Sequence, residues 1–565
     1  MYLERVDIVG FRGINRISLN LDDNTVLIGE NAWGKSSLLD ALTLLLSPEP
    51  QLYHFTSQDF YHPAGDENAK ERHLQIIFTF CEKDIGHWRA PRYRQLSPLW
   101  IKNNDGLHRI YYRIEGELAD DGTVCTWRTF LDLDGRPLEL HDIEKLARGV
   151  IRIHPVLRLR DARFIRRLRS TTPEKSYQLD KVNQLDKVHQ PDNMLLNQQL
   201  DQLSRELVRR PQKLTNAELR QGLEAMRQLL EHYFAEQGSQ SVGLRNHHRP
   251  QPEREAWLAL DSINRMVAEP NSRSMRLILL GMFSTLLQAK GSLSLDPHAR
   301  PLLLVEDPET RLHPIMLSVA WGLLSQLPLQ RITTTNSGEL ISLVPVESIC
   351  RLVRESSRVA TYRIGPRGMS AEDSRRIAFH IRFNRPSALF ARCWLMVEGE
   401  TEIWLLNDLA RQCGYHFEAE GVKVIEFAQS GLRPLLKFAN RMGIQWHVLT
   451  DGDDAGKKYA ATVRTMADDG RDHERDRLTI LPAPDMEHFL YRSGFDEVYH
   501  RISGIPANAK MQPRRVIEKA IHRTSKPDLA IEVTSYARER GVEFIPPLLK
   551  KMFSRVVWLA RGRAD

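Results

Sequence analysis

Residues 29–36 read Gly-Glu-Asn-Ala-Trp-Gly-Lys-Ser, a G-x-x-x-x-G-K-[ST] run that leaves a chain little choice of fold. Such a loop works only between a buried strand and the start of a helix, where successive backbone N–H groups curl around phosphate oxygens. Both flanks are present. Thr25, Val26, Leu27 and Ile28 supply the strand, and Leu38, Leu39, Leu42, Leu45 and Leu46 recur behind it at helical spacing. Residues 2–9 and 17–21 read as earlier strands, and residues 73–80 and 107–133 as further sheet with Asp-Gly turns at 121–122 and 134–135. The loop assigns Gly29, Glu30, Asn31, Ala32, Trp33, Gly34, Lys35, Ser36 and Ser37 to a nucleotide. Its glycines admit close backbone approach, Lys35 brings a point charge to the phosphates, and the Ser36 hydroxyl meets Mg²⁺. ATP with one magnesium ion is the expected ligand.

The other half of such a site is an apolar strand ending in acids. Leu302-Leu303-Leu304-Val305-Glu306-Asp307 supplies it, but only after residues 37–301 have intervened. An insertion therefore divides one nucleotide-binding lobe. The texture changes near residue 160: Arg152, Arg158, Arg160, Arg163, Arg166, Arg167 and Arg169 come close together, and polar text with Leu195, Leu196, Leu200, Leu203 and Leu207 at helical spacing follows. A helical hairpin or bundle is expected over residues 161–255. Composition then excludes several classes. With 42% hydrophobic and 27% charged residues and a net charge of +7, the chain is neither disordered nor collagen-like. Its most apolar stretch, residues 277–287, is broken by Gly281, Ser284 and Thr285 and is too short to span a bilayer. Glu4 and Arg5 precede any apolar core, which excludes a signal peptide, and the 5 cysteines form no CxxC pair. The expectation is a cytoplasmic protein with no membrane partner.

A second α/β pattern begins at residue 393. Leu395-Met396-Val397-Glu398-Gly399-Glu400-Thr401-Glu402 ends a strand in an acid, turns, and opens a helix. Val448-Leu449-Thr450-Asp451-Gly452-Asp453-Asp454-Ala455-Gly456 does the same. In a parallel sheet both carboxyl ends lie on one side, so Glu398, Glu402, Asp451 and Asp453 converge where ligands bind. An all-oxygen cluster of this kind calls for Mg²⁺ or Mn²⁺, and two such ions clamp the attacking and leaving oxygens of a phosphodiester. An EF-hand is excluded, because the terminal Glu is missing at the required offset.

The split lobe, with Phe11-Arg12-Gly13 after its first strand and Pro308-Glu309-Thr310-Arg311-Leu312-His313-Pro314 behind its acids, resembles the ABC-type ATPase heads of the SMC and Rad50 superfamily. That resemblance implies that Glu306 orients Mg²⁺ and Asp307 aligns the attacking water. The order departs from the usual Asp-Glu, and a base shorter by about one methylene slows hydrolysis. Asn336 stands where those heads carry a switch histidine, as a substitute γ-phosphate sensor. Asn271-Ser272-Arg273-Ser274-Met275-Arg276 is the candidate signature helix, and Ser57-Gln58-Asp59 is either a Q-loop or a surface loop. The acidic text resembles the Toprim fold of topoisomerases, primases and a group of nucleases.

Head followed by Toprim resembles the OLD family of nucleases over nearly the whole chain. The implied fold class is α/β: an ABC/SMC-type P-loop ATPase head (1–160 and 256–375), a helical insertion that mediates homodimerisation (161–255), and a Toprim nuclease domain (390–565). The resemblance further implies Glu487 as a metal ligand and Lys526 as the basic residue that offsets charge on the scissile phosphate, with Lys550 and Lys551 competing for that role. Activity would be metal-dependent DNA endonucleolysis, with two ions at the Toprim acids and the head as regulator. The Arg152–Arg169 cluster either contacts DNA backbone with low sequence specificity or pairs with acids of the insertion, and the tail (Lys550, Lys551, Arg555, Arg561, Arg563) is a second candidate for such backbone contacts. The competing reading is an SMC-like ATP-dependent DNA clamp or tether without nuclease activity, against which the intact acids argue. A topoisomerase would need a catalytic tyrosine in a separate domain, and a primase a zinc module that these cysteines do not provide.

Overall fold

The computed structural model describes residues 1–30, 33–49, 51–63, 71–159, 299–310, 317–318, 321–322, 329–365, 368–467, 473–509 and 511–562. Contacts divide them into two compact units, Met1–Leu343 with Ser357–Thr361, and Val344–Ser356 with Tyr362–Asp565. The expected helical insertion and the candidate signature helix lie outside the described residues.

The first unit opens with β1 (Tyr2–Phe11), β2 (Ile14–Asn20) and β3 (Asn24–Ile28), followed by α1 (Lys35–Leu45). Then come β4 (His73–Cys81), β5 (Ile101–Lys102), β6 (His108–Leu118), β7 (Val124–Leu131), α2 (Ile143–Ile153) and β8 (Val156–Leu159). From residue 299 on, the described chain continues through β9 (Leu302–Glu306), β10 (Arg331–Thr334) and α3 (Gly338–Leu343). Two halves of different character result. Strands β5-β6-β4-β1-β2 form an antiparallel group, with β7 added on β6. Their alternating buried and exposed positions match a sheet with one face on the core. Strands β3-β10-β9-β8 are parallel, and Leu302, Leu303 and Leu304 are fully buried, as strands covered on both faces demand. The parallel register pairs Leu27 with Thr334 and Thr334 with Glu306. The carboxyl ends of β3, β9 and β10 therefore share one edge.

In the second unit, β11 (Ile349–Arg354) precedes α4 (Ala371–Ile377), and between them β12 (Val359–Tyr362) belongs, up to Thr361, to the first unit. A π-helical turn, Ala378–Asn384, follows, and then β13 (Cys393–Val397), α5 (Glu400–Gln412), β14 (Val422–Glu426), α6 (Leu432–Arg441), β15 (Gln445–Thr450), α7 (Asp454–Met466) and β16 (Leu478–Ile480). The sheet order is β14-β13-β15-β16, parallel throughout. All of β13 is buried, and Trp394 stacks on Phe438 of α6 with ring centroids 5.9 Å apart. Helices α8 (Met486–Leu490), α9 (Asp496–Ser503), α10 (Pro513–Arg523), α11 (Lys526–Arg540) and α12 (Pro547–Arg561) complete this unit, and their Leu529, Val533, Leu549, Phe553 and Val556 join the core of β13 and α5.

Candidate functional site

The phosphate loop hangs from β3. Gly34 sits at φ 90°, a left-handed conformation open to glycine, and an added Cβ would come within 3.0 Å of Ile14. Lys35 is buried, and its Nζ donates to Asn336 Oδ1 at 2.7 Å across the sheet edge. Burial pulls its pKa down, while Asp307 and Glu309 hold it up. Ser36 is exposed, whereas the Ser37 hydroxyl accepts the Gly13 N–H at 3.2 Å and ties α1 to the turn after β1. Glu30, Trp33 and Gly34 are described, the Trp33 N–H donating to the Glu30 carbonyl at 3.0 Å; Asn31 and Ala32 lie outside the described residues.

The acids after β9 divide their roles. Glu306 receives Nε and Nη2 of Arg158 at 3.0 and 2.9 Å. Arg158 Nη1 also reaches Asp40 at 2.5 Å, Asp40 accepts Arg12 Nη1 at 2.6 Å, and Arg12 Nε donates to the buried Asp59 at 2.9 Å. An ion chain thus runs from the β9 acid through α1 to residue 59, the last of the Q-loop candidate. Asp307 takes a positive φ of 38° and accepts the Thr334 hydroxyl at 2.9 Å. Glu309, which the motif reading passed over, accepts the Asn336 N–H at 2.6 Å and the Thr335 hydroxyl at 3.0 Å. The structure therefore brings Gly29, Lys35, Glu306, Asp307 and Asn336 to one edge and adds Arg158 and Glu309.

In the second unit, Glu398 follows β13, and Glu402 lies one helical turn on. The Gly399 N–H donates to Glu402 Oε2 at 2.5 Å, so Glu402 caps its own helix. Asp451 follows β15, and Asp453 caps α7 by accepting the Gly456 N–H at 2.7 Å. The glycine of D-x-D-x-x-G has a steric reason: a Cβ on Gly456 would stand 1.9 Å from the Asp451 carbonyl oxygen. Beyond β16, Asp485 caps α8 and accepts the His488 ring at 2.7 Å, while Glu487 accepts Lys526 at 2.8 Å.

These carboxylates feel one another. Asp451 is pushed from 3.8 up to about 8, first by burial and then by Glu402, Glu398, Asp485 and Asp453. Glu402 rises from 4.5 to about 7 through burial and Glu487, opposed by the Gly399 N–H and Lys526. Burial and Asp453 also raise Glu398, whose Oε2 is enclosed with no hydrogen-bond partner. Among the described residues, no three His, Cys, Asp or Glu side chains close into a metal-ligand set. The donor chemistry nevertheless fits a hard divalent cation: all the donors are oxygens, they are electrostatically unbalanced, and one is orphaned. Glu487 and Asp453 hold internal partners that an ion would have to displace. Asp485 joins this group unforeseen. Its signal was only a cap-like Asp before a short helix.

A family profile described as "Protein of unknown function (DUF2813)" matches residues 1–388, and one for "Overcoming lysogenization defect protein-like, TOPRIM domain" matches residues 389–453. The chain belongs to the DUF2813 family. Its C-terminal module is OLD-like TOPRIM, in agreement with the resemblance carried by the motifs. "Uncharacterized protein YbjD" of Escherichia coli (strain K12) is 64% identical over 566 residues, covering 100% of both chains. "DNA replication and repair protein RecF" of Crocosphaera subtropica (strain ATCC 51142 / BH68) is 31% identical over 19% of this DUF2813 chain and 27% of its own. "Endonuclease GajA" of Bacillus cereus (strain VD045) is 32% identical over 15% and 14%. Among solved structures, the C-terminal region of the Burkholderia pseudomallei OLD protein covers 30% of the DUF2813 chain and 98% of its own at 16% identity and a TM-score of 0.26. The chain is thus an α/β protein of the DUF2813 family with an OLD-like TOPRIM module after residue 388. No helix among the described residues is long and apolar enough to cross a membrane.

Proposed function

We propose that this chain is an ATP-binding, metal-dependent DNA endonuclease that hydrolyses phosphodiester bonds at the Toprim acids, with the head as regulator. The observation that carries the reading is the crowding of Glu398, Glu402 and Asp451 on one sheet edge, where burial first and neighbouring carboxylates second lift Asp451 to about 8 and Glu402 to about 7. Structural acids are rarely left so unbalanced. Two divalent ions held there would supply the charge that activates water and steadies the leaving oxygen. Glu398, Glu402, Asp451, Asp453 and Glu487 hold the ions, and Lys526, 53% exposed and beside Glu487, faces the phosphate. In the head, Lys35 and the backbone around Gly34 receive the phosphates, and Ser36 and Glu306 serve the nucleotide's magnesium. Asp307 orients water, and Asn336 passes from Lys35 to the γ-phosphate. A homodimer assembled through residues 161–255 belongs to the same reading.

The test is supercoiled plasmid with Mg²⁺ or Mn²⁺, beside an Asp451→Ala/Asp453→Ala variant. The parent nicks, and the variant loses about 10²–10⁴-fold in rate. Equal nicking by both would sink the assignment of the site. DNA retention without cleavage by either favours the clamp reading, for which the commitment of Glu487 to Lys526 and of Glu306 to Arg158 is the supporting observation.

A further inference from the structure

Where β14 ends, a second set of charged groups gathers that the cleavage reaction above does not use. Glu426, the last residue of β14, is 4% exposed. Its carbonyl meets Nε2 of the buried His380 at 2.8 Å, and its Oε2 stands 2.8 Å from Arg385 Nη2. The same Nη2 reaches Glu400 Oε1 at 3.5 Å. Glu400 opens α5 between Glu398 and Glu402, so Arg385 lies at the rim of the acidic edge. It is placed there by the π-helical turn Ala378–Asn384, whose end it caps through its N–H to Ile381. Such turns cost regular helix geometry and recur where a side chain is set for function.

Arg385 is poorly used by these partners. Both contacts fall on one nitrogen, Nε–H has no acceptor, and the Glu426 contact is close without hydrogen-bond alignment. Lys526, in contrast, makes a hydrogen-bonded pair with Glu487. A guanidinium presents a rigid fork that matches two phosphate oxygens better than a single nitrogen matches two separate carboxylates. We propose that Arg385 is a phosphate-binding residue of the Toprim site, gripping a backbone phosphate beside the scissile one, and that Glu426 is the internal anion that holds it until nucleic acid arrives. The inference rests on the DNA-cleavage reading.

Full-length parent, Arg385→Ala, Arg385→Lys and Glu426→Gln are compared by fluorescence anisotropy on a labelled duplex in Ca²⁺ over a salt series, and by plasmid nicking in Mn²⁺. Arg385→Ala weakens binding by about 10-fold, lowers the slope of log K against log salt by about 1, and raises KM more than it lowers kcat. Arg385→Lys recovers part of the affinity. Glu426→Gln, which removes the competing charge, binds DNA more tightly than the parent, an outcome that a purely structural Arg385 would not give. Thermal melts of the four proteins separate lost folding from lost contact. If Arg385→Ala and Glu426→Gln bind as the parent does while Asp451→Ala/Asp453→Ala stops nicking, the role of Arg385 falls and the nuclease reading stands. If binding depends on Arg385 but the Asp variant nicks as before, the cleavage site is wrong and the phosphate contact stands. A parent that binds no DNA overturns both.

Discussion

Asp451 carries a large electrostatic cost in the second unit. Its folded-state pKa of about 8 against 3.8 means that the native protein retains a proton that the unfolded chain releases, and Glu402, at about 7 against 4.5, does the same. The sign follows from linkage: wherever the native state binds more protons, stability falls as pH rises. The metal-free protein is therefore expected to lose thermal stability from about pH 4 to about pH 8, with the loss complete once both groups ionise. Asp451→Asn removes the largest contributor, so its melting temperature at pH 8 exceeds the parent's, by on the order of 2–4 °C for each kcal/mol of relieved repulsion. Mg²⁺ reverses the order by stabilising the parent at pH 8 far more than at pH 5, since binding there must expel protons. Scanning calorimetry at the two pH values checks this. A parent whose melting temperature is flat with pH would show that these carboxylates are already balanced.

At the scale of elements, strand ends were the readable part. The phosphate loop, Glu398 and Asp451 each combine a short apolar run with its terminating residue, a local pattern that survives without knowledge of the fold. Partnerships across long separations were not readable. Nothing near Arg158 announces that it would grip Glu306, nothing near Lys35 announces Asn336, and Glu309 stood hidden in a run whose first two acids drew the assignment. The strand read at residues 17–21 in fact begins at Ile14, because Arg12 at φ 49° and Gly13 close the turn more tightly than apolar text alone implies. Residues 486–561 show the same limit, since their helices have ordinary amphipathic text whose destination only packing reveals. Arg351 of β11 illustrates what such packing requires. It is 2% exposed and donates to the carbonyls of Met442, Gly443 and Ala391, joining the end of α6 to the turn that leads into β13. Arg351→Met keeps the bulk but leaves those carbonyls bare, and is expected to cost about 2–4 kcal/mol. Urea unfolding reports it as a lower midpoint, and an unchanged midpoint would mean that water satisfies the carbonyls equally well.

For the whole molecule, the chemistry falls into two sites that sequence separates and that the proposal couples. The net charge of +7 hides this arrangement, because the Toprim acids and the arginines near residue 160 cancel in the sum without meeting along the chain. If ATP regulates cleavage by changing how the Toprim acids hold metal, the coupling is reciprocal: a nucleotide that tightens metal binding by some factor is itself bound more tightly by that factor when metal is present. Lys35→Ala loses the buried cation that the proposed function sets against the phosphates and is expected to weaken ATP by about 10-fold or more, or about 1.4 kcal/mol upward. It should leave metal-induced stabilisation of the nucleotide-free protein untouched. Asp451→Ala/Asp453→Ala should do the reverse, removing the Mn²⁺ effect while binding ATP as the parent does. Calorimetric titration of Mn²⁺ into the parent, with and without a non-hydrolysable ATP analogue, then measures the coupling directly, with Lys35→Ala as the control in which it vanishes. Identical Mn²⁺ affinities in both states would show that the head acts on DNA access rather than on the metal, and would move the search for regulation from the acids to the surface that receives the duplex.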